Sequence, residues 1–131
     1  MSNTAAYQHS LAPWLAVRNS AEAVRFYQTA FGAVEVYRLE GPEEGVVSRL
    51  TVGGGEFWLS DESPENGSFS PQTLGGSTTR LILTVVDPDA VFAQAVAAGA
   101  EIVFPVVEEH GWRVGRVVDP FGHHWEIGRE V

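Results

Sequence analysis

The sequence contains no cysteine, and only 8 of its 131 residues are basic, against 17 acidic residues. The lack of cysteine excludes disulfides, thiolate metal sites and a cysteine nucleophile, and it leaves the redox compartment undecided. The shortage of basic residues gives a net charge of −9, which repels phosphate backbones, so we expect no nucleic acid partner. The same charge would favour cationic ligands, although it is also typical of proteins that are acidic for solubility alone.

Long apolar runs are also absent. No run approaches the roughly 20 residues that a membrane helix needs, so we expect no membrane partner. The stretch Met1–Ala5 has neither the basic nor the apolar part of a secretory signal, which predicts a cytoplasmic protein. Hydrophobic residues nevertheless make up 44% of the chain, enough to bury a core in one domain of this length.

The two halves of the sequence align without a gap at an offset of 67 residues. Arg49 then meets Arg116, and Trp58 meets Trp125, as do several alanines, valines and glycines. A repeat of this length is too long for a solenoid and indicates a duplicated module.

Each half shows the pattern of one strand, one helix and three further strands. In the first half, Asn19 is the expected N-cap of an amphipathic helix that ends at Gly32. In the second half, Asp87 caps a helix that begins at Pro88 and ends at Gly99. The predicted strands are 13–17, 33–40, 46–52 and 56–60 in the first half, and 81–86, 101–107, 112–118 and 124–128 in the second.

This pattern predicts a single α+β domain over residues 1–131, built from two βαβββ modules. Module 1 spans about 11–61 and module 2 about 79–131. Residues 62–78 between them are polar and rich in residues that break helices and strands, which predicts a linker. The linker would also cover a site if it folds back over one module.

Three segments, 23–33, 70–77 and 115–123, together with the run Asp119–Glu126, resemble the vicinal oxygen chelate superfamily of glyoxalase/bleomycin-resistance proteins. Within it, the chain is similar to the PhnB-like branch. The resemblance implies that each module curls a mixed four-stranded sheet with its helix outside, and that two modules enclose a cleft, often across a homodimer. The superfamily contains lyases, isomerases, dioxygenases, thiol transferases and drug-binding proteins, so the fold leaves the activity open.

Alternation along the strands sorts side chains between the helix side and the cleft. In the last strand, Trp125 and Ile127 are expected under the helix, and His124 and Glu126 in the cleft. The match of Trp58 to Trp125 predicts that Trp58 packs as well. The remaining cleft-facing positions predicted in this way are Phe57 and Leu59 in the first module's last strand, Ala12, Trp14 and Ala16 in its first strand, and Arg80, Ile82 and Thr84 in the second module's first strand.

The resemblance also implies where a metal would bind, because metal-dependent members carry a His or Glu ligand on the first and last strand of each module. Only Glu126 of the matching positions can bind a metal, and the guanidinium of Arg80 stays protonated. We therefore expect no cofactor, while His110, His124 and Glu126 leave a divalent metal at a nonstandard site open. The four matching positions are Ala12 (or Pro13), Leu59, Arg80 and Glu126.

Arg80 and Glu126 would lie close together if both occupy former ligand positions. The pair would then either position a polar ligand or compensate charge, whereas the alternative is that Arg80 extends into solvent. Trp14 and Trp112 are expected to line an apolar cleft suited to a flat organic molecule.

The leading interpretation is a metal-independent protein that binds a small organic molecule, as a homodimer. The cleft residues it assigns are Trp14, Arg80, Trp112, His124 and Glu126. The alternative is a lyase, isomerase or dioxygenase with a nonstandard metal, or with Glu126 and His124 as catalytic acid and base. A third possibility, a structural accessory domain, predicts no closed cavity.

Overall fold

The computed structural model describes residues 8–131, so the stretch Met1–Ala5 lies outside the described residues. The chain forms two four-stranded mixed sheets with helices, the α+β architecture of two βαβββ modules predicted from the sequence. Sheet 1 contains β1 (Trp14–Val17), β2 (Val34–Glu40), β3 (Val46–Val52) and β4 (Gly55–Asp61), in the order β1-β4-β3-β2. Sheet 2 contains β5 (Arg80–Thr84), β6 (Glu101–Glu109), β7 (Trp112–Val118) and β8 (His124–Glu130), in the order β5-β8-β7-β6. The helices are α1 (Ser20–Phe31), α2 (Pro71–Leu74) and α3 (Pro88–Ala98).

Both long helices begin at the predicted caps. The side chain of Asn19 accepts a hydrogen bond from the backbone N–H of Glu22 at 3.2 Å, and Asp87 accepts one from Ala90 at 3.2 Å. These bonds satisfy N–H groups that have no partner inside the helix. Helix α1 ends at Gly32, whose φ of 67° is a conformation that glycine adopts without a side-chain clash.

One core holds the helix-side faces of both sheets. Helices α1 and α3 pack against each other, and the ring of Trp125 on β8 lies 4.7 Å from that of Phe31 on α1 and 5.5 Å from that of Phe57 on β4. The opposite face of each sheet lies away from this core, and no closed barrel forms within residues 8–131. We call these surfaces open face 1 (Trp14, Tyr37, Leu39, Arg49 and Trp58) and open face 2 (Arg80, Ile82, Phe104, Trp112, Arg116 and Glu126).

The carboxylate of Asp119 joins the two modules inside this core. It accepts hydrogen bonds from the hydroxyl of Tyr27 on α1, from Nε1 of Trp125 at 2.9 Å, and from the backbone N–H groups of Phe121 at 2.9 Å and His123 at 3.0 Å. Burial, together with the negative charge of Asp119, raises the pKa of Tyr27 well above its ordinary value. The network fixes the β7–β8 turn against α1.

The predicted linker contains helix α2, and hydrogen bonds to Glu62 hold it in place. Glu62 accepts hydrogen bonds from the backbone N–H of Ser70 and from the hydroxyl of Thr73, both at 2.9 Å. These two bonds lower the pKa of Glu62. Ser70 also caps α2, a local motif that the polar composition of the segment concealed.

None of the helices formed by residues 8–131 combines the length and the apolar character required to cross a bilayer.

Candidate functional site

Two arginines share one carboxylate oxygen at the centre of open face 2. Oε1 of Glu126 lies 2.8 Å from Nε of Arg80 and 2.9 Å from Nη2 of Arg116, which donates a hydrogen bond to it. The side chain of Glu126 is 19% exposed, whereas that of Arg80 is 56% exposed. This contact is the one expected if Arg80 and Glu126 both occupy former ligand positions. Arg116 was not among the predicted site residues.

Strand pairing explains the position of Arg116. It stands opposite Glu126 across β7 and β8, and its carbon Cζ lies 5.1 Å from the ring centre of Phe104 on β6. The sequence contained a clue, because Arg49 and Arg116 match at the repeat offset. A partly buried, charged side chain at the same position in both modules is a feature that packing alone does not require.

The predicted orientation of the last strand of module 1 is wrong. Phe57 and Leu59 are 4% and 0% exposed in the core, and Trp58 instead lies on open face 1. Arg49 pairs with Trp58 nine residues later, whereas Arg116 pairs with Glu126 ten residues later. Strands β4 and β8 are therefore related by an offset of 68, not 67. A shift of one residue exchanges the two faces of a strand.

The turn between β7 and β8 accounts for the extra residue. The β3–β4 hairpin closes from Val52 to Gly55 across two glycines, whereas the β7–β8 connection runs from Val118 to His124. The position in module 1 that corresponds to Glu126 is thus Trp58 and not Leu59. An indole N–H is only a donor, so Trp58 supplies no metal ligand either.

Open face 1 carries an aromatic wall. The rings of Trp14 and Trp58 are stacked, with centres 5.4 Å apart and planes within 4° of parallel. Tyr37 lies 5.7 Å from Trp58 at a tilted angle, and Cζ of Arg49 lies 5.3 Å from the Trp58 ring. A cation at this distance from an indole face is attracted by the ring electrons. Tyr37 is 44% exposed, so its ring belongs to the surface of open face 1 and not to the core.

Open face 2 contains a cavity of about 730 Å³. Its wall is mainly apolar, with Trp112 and Glu126 among the lining side chains and Glu109 and His110 near the β6–β7 turn. This size and composition are typical of sites for small organic ligands. The remaining lining residues are Ile82, Phe104, Pro105, Val107, Val114 and Gly128.

The five predicted cleft residues do not share this cavity. Trp14 lines a separate cavity of about 380 Å³ between β1, the linker and the turn that holds His123. Arg80 contacts Glu126 but stands outside the lining of the larger cavity. His124 is partly buried, and its Nδ1 has no hydrogen-bond partner within residues 8–131. The chain alone therefore brings together Trp112, Glu126 and Arg80, but not Trp14.

The side chains around the retained ligand position do not suit a divalent metal, which the family resemblance had left open. Residues 8–131 contain no group of three or more His, Asp or Glu side chains placed to hold an ion. Glu126, the retained ligand position, is already contacted by two guanidinium groups, whose positive charges disfavour a cation beside them.

Comparisons with known proteins agree with this fold. A family model described as the Glyoxalase/Bleomycin resistance protein/Dioxygenase superfamily matches residues 7–127. An uncharacterized protein of Mycobacterium bovis is 41% identical over 128 residues, covering 93% of this chain and 84% of that protein.

Solved structures of other proteins are similar to this fold. The crystal structure of TioX from Micromonospora sp. ML1 has a TM-score of 0.72 at 29% identity, covering 94% of this chain and all of that chain (100%). The fosfomycin resistance protein FosX of Listeria monocytogenes, solved with Mn(II) and sulfate, has a TM-score of 0.71 at 15% identity, covering 95% and 94% of the two chains. At that identity the likeness to FosX shows the fold alone.

Proposed function

Because the chain belongs to the glyoxalase/bleomycin resistance protein/dioxygenase superfamily, we propose that it binds a small organic molecule in a cleft between two modules, without the standard metal. The single observation that carries this proposal is the apolar cavity of about 730 Å³ with Glu126 in its wall. A cavity of that kind buries most of a small ligand, and a few polar groups then fix its orientation. Segments 23–33, 70–77 and 115–123 support membership of the PhnB-like branch as part of the same proposal.

We further propose that the cleft is completed by a second copy of the chain. Both open faces carry large exposed apolar side chains, among them Trp14 at 53%, Leu39 at 55% and Ile82 at 62% exposure. Apolar patches of this kind on a sheet are typical of interfaces. In the proposed homodimer, open face 1 of one protomer faces open face 2 of the other, which brings Trp14 and Glu126 to one cleft.

The dimer has a direct test. Sedimentation equilibrium should give twice the chain mass of 14.2 kDa. Leu39→Asp places a charge on open face 1 and should yield monomers, because a buried unpaired charge is costly. The matched control is Val86→Asp, since Val86 is 86% exposed, outside both open faces and outside the lining of both cavities, so this variant should remain dimeric. A monomeric wild type, or equal behaviour of the two variants, would contradict the arrangement.

Ligand binding is tested by thermal shift across quinones, glutathione adducts and cationic antibiotics. Compounds that stabilise the wild type should no longer stabilise Trp14→Ala or Glu126→Ala, while both variants still unfold cooperatively. Unchanged shifts in both variants would remove the assigned site. Elemental analysis of the purified protein supplies the opposing outcome, because stoichiometric Zn, Ni, Mn or Fe that Glu126→Ala removes would instead support the metal-dependent enzyme.

The cytoplasmic location expected from the N-terminal sequence stays a prediction.

A further inference from the structure

We infer that the ligand of the proposed cleft is a planar aromatic molecule that carries an anionic group. This inference rests on the proposed function and specifies its ligand class. Its starting point is a local charge that opposes the charge of the whole protein. At the centre of open face 2, two guanidinium groups (Arg80 and Arg116) contact one carboxylate (Glu126), which leaves one positive charge in a chain of net charge −9.

Glu126 does not accept hydrogen bonds from all the N–H groups of these two arginines. Arg116 donates to Glu126 through Nη2, and its Nε is buried with no hydrogen-bond partner in residues 8–131. Within the same residues, Arg80 lies in ion-pair contact with Glu126 without any aligned hydrogen bond. The side chain of Arg80 is 56% exposed, so a ligand oxygen in the cleft can reach its free N–H groups. A carboxylate or another oxyanion suits the planar fork of a guanidinium.

Open face 1 carries an arginine at the matching position, Arg49, but it stands opposite Trp58 and not opposite a carboxylate. Arg49 forms no ion pair with an acidic side chain among the described residues, and its buried Nε also has no partner there. Its guanidinium lies over Trp58. In the dimer that we propose, Arg49 of one protomer would face Arg80 and Arg116 of the other. Three guanidinium groups would then surround one glutamate.

The aromatic part of the ligand follows from the wall on open face 1. Trp14 and Trp58 present parallel rings, and a flat aromatic molecule can stack on such a surface in an offset arrangement. The rings of Phe104 and Trp112 belong to the opposing open face. Glu109 lies at the hairpin end of the cavity, where it disfavours an anion. The anionic group is therefore expected beside Arg80 and Arg116, which adjoin Glu126 of the cavity wall.

Three probes that share a naphthalene ring and differ in charge test what the cleft selects: 2-naphthoate, the neutral 2-naphthamide and the cationic 2-naphthylmethylamine, each titrated calorimetrically into the wild-type protein. We expect 2-naphthoate to bind at least about tenfold more tightly than the amide, and the amine to bind most weakly. The affinity for the naphthoate should fall as salt is raised, whereas that for the amide should not.

Single substitutions test which arginines bind the anionic group. Arg116→Gln should weaken the binding of 2-naphthoate about tenfold or more and leave the amide within about twofold. Arg80→Gln should act in the same direction and guards against a folding defect, because Arg80 is more exposed. The matched control is Arg25→Gln, since Arg25 is an exposed residue of α1 outside both open faces, and it should change none of the three affinities.

Each contrary result overturns the inference. If the amide or the amine binds as tightly as the naphthoate, the cleft does not select anions, and the proposed small-molecule site survives. If none of the three binds while a compound of the thermal-shift panel does, the ligand class is wrong and the site again survives. If neither set binds, the proposed function fails with it.

Discussion

Open face 1 and open face 2 have the same arginine but different neighbours for it. Arg49 and Arg116 occupy matching positions on β3 and β7, yet Arg49 stands opposite an indole and Arg116 opposite a carboxylate. The first face is consequently an aromatic wall, and the second is an ionic centre beside an apolar cavity. The two modules therefore surround the same arginine with different chemistry.

The hairpins behind the two faces differ as well. Two glycines close the first hairpin, whereas the turn of the second is organised by Asp119, which accepts hydrogen bonds from Phe121, His123, Tyr27 and Trp125. The longer turn decides which side chain of β8 lies opposite Arg116.

The largest effect is expected for Asp119→Ala. Removing this carboxylate leaves four donors without their acceptor in or near the core, so the free energy of unfolding should fall by about 3–5 kcal/mol. Urea denaturation measures the loss. The control is Asp87→Ala, which removes an exposed helix cap and should cost about 1 kcal/mol. A loss at Asp119 no larger than that at Asp87 would show that the turn does not depend on its carboxylate.

A smaller effect is expected for Tyr27→Phe, which removes one hydrogen bond to a charged group and should cost about 1.5–3 kcal/mol at neutral pH. Its pH dependence is more specific. In the folded protein the raised pKa of Tyr27 keeps its proton bound, whereas an unfolded tyrosine loses it near pH 10. The folded state then binds more protons than the unfolded state, so stability should fall as the pH rises above about 10.

This part of the alkaline decline should be missing in Tyr27→Phe. The control variant, Tyr37→Phe, alters a half-exposed tyrosine on open face 1 and should keep the decline of the wild type. Denaturation curves at several pH values between neutral and alkaline measure both. Parallel declines in all three proteins would contradict the role given to buried Tyr27.

The smallest effect concerns the two arginines directly. Arg116→Met should cost about 1 kcal/mol at low salt, because a partly exposed ion pair and hydrogen bond are lost. Arg49→Met should cost about half as much, since it loses an attraction to a ring. Salt should reduce the first loss more than the second.

Urea denaturation measures the loss in free energy of unfolding for both arginine variants. The protein concentration is kept fixed, because a dimer's stability depends on concentration. Arg25→Met serves as the surface control. Equal losses with equal salt dependence would mean that the two open faces do not differ in the way described above.

The sequence alone determined the modules, the caps and most strand faces. Asn19, Asp87 and Gly32 act through contacts within one or two turns of a helix, so local patterns suffice to predict them. The 67-residue offset likewise identified the duplication, and alternation along β8 correctly placed Trp125 in the core.

The differences between the two modules and their packing against each other depend on contacts that the sequence pattern did not reveal. A gap-free repeat cannot reveal that one turn holds an extra residue, yet that residue moves Trp58 to open face 1 and Leu59 into the core. The pairing of Arg116 with Glu126 depends on cross-strand register, and the packing of α1 against α3 depends on which surfaces bury the most apolar area. Both are contacts between residues distant in sequence, and local propensity does not encode them.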